Sequence, residues 1–224
     1  MWEARWMPPE DASDAIRRAA GFLTVGEVAA LAPGVSVLDS GSTLVGADVL
    51  IGSGTVVYPG VVLETRDGGR ITVGPGVRLG PGAVTVLAVG SDVTIGDAAE
   101  LGPGSVTVTS AVGAPVRIGA AVRLRGGAVV EGPASLGRGS QVLGSVAVRD
   151  VVLDGGGGHT EPDPDLRGAV VKGAGRVRGV RLAVGEVVAV GDLADIGDST
   201  RTSQIRIERQ RAHHPDAPRR RALD

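Results

Sequence analysis

Few residues of this chain can do chemistry, and their scarcity narrows the choice. Cys is absent, which removes thiol nucleophiles, zinc-thiolate sites and disulfides. His occurs three times, as His159, His213 and His214. His213 and His214 are adjacent in a polar tail, a poor pair of ligands, and read as solvated. His159 stands in the run Asp154-Gly-Gly-Gly-Gly158-His159-Thr-Glu161-Pro-Asp163-Pro-Asp165. Gly and Pro make this a loop. Its carboxylates, Asp154, Glu161, Asp163 and Asp165, would orient the imidazole and raise its basicity. A base that takes a proton from an attacking amine or hydroxyl is what acyl transfer to an acceptor requires. A thioester donor brings its own leaving group, so no covalent enzyme intermediate is needed. The competing reading is a surface His without a role.

The composition says what must position such a base. The chain has 224 residues, of which 37 are Gly, and 42% are hydrophobic. Its four aromatics are Trp2, Trp6, Phe22 and Tyr58, so the core has to be built from Val, Leu, Ile and Ala. That much apolar content excludes a disordered chain. Gly without a period of three excludes collagen. No apolar run approaches the ~20 residues of a membrane span, and Met1 to Glu10 does not read as a secretory signal. A net charge of −2 argues against nucleic acid as a partner. The expectation is a cytoplasmic protein with no membrane or nucleic-acid partner.

High Gly with few aromatics calls for a search for repeats. Aliphatics recur every six residues: Val45, Ile51, Val57 and Leu63; Val73 and Leu79; Ile95 and Leu101; Ile118, Leu124, Val130, Leu136, Val142 and Val148; Val184, Val190 and Ile196. Many are followed by Gly. Period six is neither helical nor a plain alternation; it fits a short strand plus a corner. Three such sides close one coil, and coils stack with strands ~4.8 Å apart. The interior is narrow and takes aliphatics rather than rings. The prediction is an all-β solenoid over 34–199, interrupted by an inserted loop at about 149–183. Extra residues at Asp67-Gly68-Gly69, Gly90-Ser91-Asp92 and Gly113-Ala114-Pro115 predict three coils that bulge at one corner.

This register takes Leu63, Thr85, Thr107 and Val130 as stacked inward. The preceding residues, Leu44, Val62, Val84, Val106, Val129 and Ala147, then form an outward apolar column. The other outward columns, Leu50-Thr72-Thr94-Arg117-Ser135 and Val56-Arg78-Glu100-Arg123-Gln141, are mostly polar. An exposed apolar stripe marks an interface. Residues 1–33 form a helical segment, with Asp11 or Ser13 as a cap, Ala15, Ile16, Ala19, Ala20 and Leu23 as its apolar side, and a capping box at Thr24 and Glu27. It would cover the open edge of the first coil. Residues 200–224 form an Arg-rich tail, read as solvated, with phosphate-binding Arg as the alternative.

The hexads resemble the hexapeptide-repeat acyltransferases, whose fold is the left-handed parallel β-helix. The likeness covers roughly 45–148 and 184–197, and the hand follows from it alone. It implies a homotrimer, here through the apolar column, and acetyl-CoA or another acyl-CoA as co-substrate in the coil groove between subunits. Metal-dependent members hold three His across a subunit interface. With His159 alone in the body, no metal site is expected here.

A closer likeness lies in Thr24 to Leu31, Gly34 to Asp39 and Ala47 to Glu64. These stretches resemble the acetyltransferase domain of the bifunctional N-acetylglucosamine-1-phosphate uridyltransferases. Val122-Arg-Leu-Arg125-Gly-Gly-Ala-Val-Val130 is similar to that family's Arg-Leu-Arg-Pro-Gly-Ala segment. The likeness implies that Arg125, with Arg123 beside it, binds a sugar phosphate, and that His159 is the base. The family's Lys falls near Leu143, so Lys172, the only Lys, is the candidate to replace it. The family's Tyr and Asn are missing, and no uridyltransferase domain is expected.

Two functions follow. One is acyl-CoA-dependent N- or O-transfer to a small sugar-like or amino acceptor, with His159 as general base and Arg125, Arg123 and Lys172 binding substrate. The other is a non-catalytic scaffold or regulatory trimer that binds a partner enzyme, such as a sugar nucleotidyltransferase.

Overall fold

A computed structural model describes residues 9–191 and 206–219. Trp2, Trp6, Ile196, Arg201, Arg220 and Arg221 lie outside the described residues.

The hexads fold as a parallel β-solenoid, the architecture expected of a left-handed β-helix. A coil has three sides, in most coils short strands joined by corners, while Ala128–Leu136 and Val146–Leu153 each run through two sides; strands pair with their counterparts in the neighbouring coils. One face runs Ser36–Val37, Val56–Val57, Arg78–Leu79, Glu100–Leu101, Arg123–Arg125, Gln141–Leu143, Val170–Gly173 and Glu186–Val190. We call it the arginine face. Its inward column, Val57, Leu79, Leu101, Leu124, Val142, Val171 and Val188, is almost fully shielded. The interior contains no aromatic side chain among the described residues; it is Val, Leu, Ile and Ala.

Two outward columns stand as the period placed them. Leu50, Thr72, Thr94, Arg117 and Ser135 are in register on one face. Arg78, Glu100, Arg123 and Gln141 are in register on the arginine face. The three bulged corners also stack: Gly90 N donates to Arg66 O at 3.0 Å, and Ser110 N to Leu87 O at 3.0 Å.

The apolar column is different. Val62 pairs with Thr85, and Thr107 pairs with Val129. Val84 and Val106 point inward and are 0% and 1% exposed. The outward column is therefore Leu44, Val62, Thr85, Thr107, Val129 and Ala147, with two threonines in its middle. The cause is the corner that precedes these strands. Six residues separate Val57 from Leu63, but seven separate Leu79 from Val86 and Leu101 from Val108. The extra residue belongs to Gly80-Pro81-Gly82 and Gly102-Pro103-Gly104. Gly82 has φ +114°, and a Cβ there would sit 2.5 Å from Gly104 O, so Gly is required. A slip of one residue reverses every side chain of a strand, and so Ala83 and Ser105 are exposed.

The ends are closed as well. Helices span Pro9–Ala19 and Val25–Ala29. The capping box is present: Glu27 N donates to Thr24 Oγ1 at 3.1 Å, and Thr24 N to the Glu27 carboxylate at 2.8 Å. Asp11 and Ser13 lie inside the first helix rather than capping it. That helix does not dock through its apolar residues, for Ile16 is 70% exposed. It docks through buried Arg17, whose guanidinium donates to Thr43 O at 3.1 Å and to Gly41 O. Carbonyls at the open end of a solenoid have no next coil to pair with, and a guanidinium supplies donors. Leu23 N donates to Val45 O at 2.8 Å, so the segment covers the first coil.

At the other end the interruption is narrower than 149–183. Strands Val146–Leu153, Val170–Gly173, Gly175–Arg178 and Arg181–Leu182 continue the coils. Only 154–169 leaves them. The tail is not solvated throughout. Ile207–Arg209 adds an antiparallel strand to Glu186–Val190, and a 3-10 turn follows at Gln210–His213. Among the described residues no helix is long and apolar enough to cross a membrane.

Candidate active site

The Gly run sets the shape of the loop that carries His159. Gly157 N donates to Leu166 O at 2.7 Å, and Gly168 N returns to Gly157 O at 2.9 Å. The two stems of the loop are thereby zipped together. A Cβ on Gly156 would lie 2.5 Å from Leu166 O, which is why the stem needs Gly. Asp163 caps the 3-10 turn Pro164–Leu166 through Asp165 N at 3.0 Å. His159 sits at the projecting end, exposed, and its ring makes no hydrogen bond among the described residues.

The loop overhangs the arginine face, and a cavity of about 260 Å³ lies beneath it. His159, Arg123 and Lys172 all line this cavity, joined by Gln141, Leu143 and Arg167. Three of the four residues singled out in the sequence thus converge from separate coils and a loop. Arg125 is adjacent rather than lining. It shares a strand with Arg123, and Lys172 is in register with Leu143, which is in register with Arg125. Lys172 therefore stands one coil beyond the position where the family resemblance leaves Leu143.

Glu100 holds the two arginines. Its carboxylate is 3.3 Å from Arg123 Nε and accepts from the Arg125 guanidinium. Arg123 also reaches Gln141 Oε1 at 3.4 Å. Both Nε atoms are buried without a hydrogen-bond acceptor. Burial first, and then the neighbouring Arg125 charge, lower the Arg123 pKa below its ordinary value. Burial raises the Glu100 pKa, but the Arg125 hydrogen bond and the charges of Arg125, Arg123 and His159 outweigh it and hold the carboxyl low. The group is net positive and short of acceptors.

The imidazole feels the same field. Burial and the Arg123 charge lower the His159 pKa below 6.5, with Arg125 and Arg167 adding to this and Glu100 opposing it. This overturns the expectation that the loop acids raise its basicity. Two of those acids face the tail instead. Arg211 pairs with Asp163 and Asp165, each at 2.5 Å. A lowered pKa leaves the ring neutral at pH 7, the form that accepts a proton.

The tail supplies the remaining wall. Gln210 is buried, and its side chain donates to Gly168 O at 2.8 Å and to Glu186 O at 3.2 Å. His213 and His214 line the same cavity, with His213 Nε2 2.9 Å from Glu208. The sequence reading missed this wall together with Glu100, Gln141 and Arg167. Glu100 and Gln141 were within reach, because the six-residue period already put them in one column with Arg123.

A scan against protein-family models finds no match, and no curated protein matches the chain.

Proposed function

We propose that the chain is an acyl-CoA-dependent N- or O-acyltransferase for a small anionic acceptor, sugar-like or amino. The observation that carries this reading is the convergence of His159, Arg123 and Lys172 on one cavity. In this reading the cations bind the acceptor's anionic group, and Gln141 orients it. Neutral His159 takes the proton as the acceptor's amine or hydroxyl attacks the thioester carbonyl. The tetrahedral intermediate collapses with loss of the CoA thiolate, which regains the proton from the imidazolium. Preorganised cations beside the reacting group add electrostatic stabilisation.

The trimer expected from the resemblance belongs to the same proposal. Its face is the outward column, where Leu44, Val62, Val129 and Ala147 flank Thr85 and Thr107. The scaffold reading is favoured by one observation: among the described residues no hydrogen bond fixes the His159 ring, whereas a dedicated base is held by an orienting partner.

The test is release of CoA thiol from acetyl-CoA across a panel of amino sugars and sugar phosphates. A protein with no Cys gives such an assay no background. Release that disappears in His159→Ala supports the transferase. Release unchanged in that variant refutes the base, and no release with any acceptor supports the scaffold.

A further inference from the structure

All three histidines of the chain, His159, His213 and His214, line one cavity. They come from segments more than fifty positions apart. The two segments are tied by contacts that do not involve the histidines. Arg211 is 15% exposed and grips Asp163, 8% exposed, and Asp165 in the loop that bears His159. The same guanidinium donates to Ala217 O at 3.0 Å. Gln210 fastens the turn to the last coils, and the antiparallel strand fixes its register. The side chains that follow this anchor are the two imidazoles. A docked tail with no other use would place apolar or small residues over Val170 and Val187, which also line the cavity.

We infer that residues 206–219 are a functional wall of the ligand site: His213 and His214 bind the anionic group of the ligand, and Arg211 is the positioning residue that holds them over it. The inference rests on the reading of the cavity as the site for an anionic acceptor. An imidazole donates one N–H when neutral and two when protonated; with its Nε2 2.9 Å from Glu208, His213 offers an anion its Nδ1–H as the imidazolium paired with that carboxylate. The groups that face the two tail imidazoles are the cations Arg123, Arg167 and Lys172, the neutral ring of His159 and, beside His213, the carboxylate of Glu208. The cations exceed the acids, so an anion entering the cavity is drawn from both sides.

Because no histidine lies elsewhere, the imidazole NMR spectrum of the full chain reports this cavity alone. Inorganic phosphate is the probe, with Arg211→Ala and Arg211→Lys beside the wild type. Titration is expected to move the signals of His159, His213 and His214 with one saturation curve. In Arg211→Ala the two tail signals cease to respond and affinity falls at least fivefold. Arg211→Lys recovers part of both, which a merely folded tail would not require. If only the His159 signal moves, and Arg123→Ala weakens phosphate while Arg211→Ala does not, the tail is structural and the inference falls, with the anion site intact. If phosphate at millimolar concentration moves none of the three, the anion reading fails and takes the inference with it.

Discussion

Replacing Glu100 by Gln should make the protein less stable and a better anion binder at once. Glu100 is the only carboxylate paired with Arg123 and Arg125 among the described residues. Its side chain and that of Arg125 are one-third exposed, and Arg123 is 14% exposed. Solvent screens such pairs, so each contributes toward the upper end of the ~0–1 kcal/mol typical of surface ion pairs. Their loss, with the two guanidiniums left side by side, costs about 1–2 kcal/mol. The same charge repels a bound anion. At roughly 7 Å and an effective dielectric constant of about 40, the repulsion is about 1 kcal/mol, roughly a fivefold change in affinity.

Denaturant unfolding and calorimetric titration with inorganic phosphate measure the two effects. The acid side adds a check. The Glu100 pKa is lowered in the folded state, so its stabilisation is complete above the unfolded value of 4.5 and is lost as pH falls through the folded one. The gap between wild type and Glu100→Gln should therefore close below pH 4.5. Weaker phosphate binding by the variant would refute the reasoning, because it would mean that Glu100 contacts the ligand instead of competing with it.

Other perturbations separate the parts of the account. Val84→Lys should abolish folding, since a buried ammonium without a partner costs several kcal/mol; a cooperative melt near that of the wild type would put Val84 outside. Val62→Lys with Val129→Lys, on the outward column, should give a folded monomer by light scattering, and a persistent trimer would place the subunit contact elsewhere. Gly156→Ala forces a Cβ against Leu166 O and should displace the loop, costing about 1–3 kcal/mol, with loss of turnover but not of the solenoid's circular dichroism. Turnover should hold from pH 7 down to about the ordinary imidazole value of 6.5 and fall only below it, because the His159 pKa is lowered. An acid limb above pH 6.5 would contradict that assignment.

The sequence made the solenoid legible because a six-residue period is local and repeats many times. Side-chain direction was legible on the two faces where polar and apolar residues alternate, as at Arg78, Glu100 and Arg123. It failed at Val84 and Val106. There the strands read Val-Thr-Val, and Val and Thr have similar size and similar strand preference. Only the longer Gly-Pro-Gly corner distinguishes the two registers. His159 and Arg123 were legible as residue types, and the glycines marked the loop. The partners of the acids were not. Arg211 meets Asp163 and Asp165 from 48 and 46 residues away, and no period links such positions. The first helix misled for the opposite reason: its apolar residues formed a pattern, yet a buried Arg makes its contact with the first coil.

The cavity under the His159 loop is the centre of this account, and acyl-CoA is the ligand that tests it without knowledge of the acceptor. Calorimetric titration of the purified chain with acetyl-CoA, with free CoA as control, is the most direct measurement. Binding in the micromolar range, about −8 kcal/mol, is the predicted result. An absence of heat with either ligand, at two temperatures and millimolar concentration, would contradict the transferase and leave the solenoid as a scaffold for a partner protein.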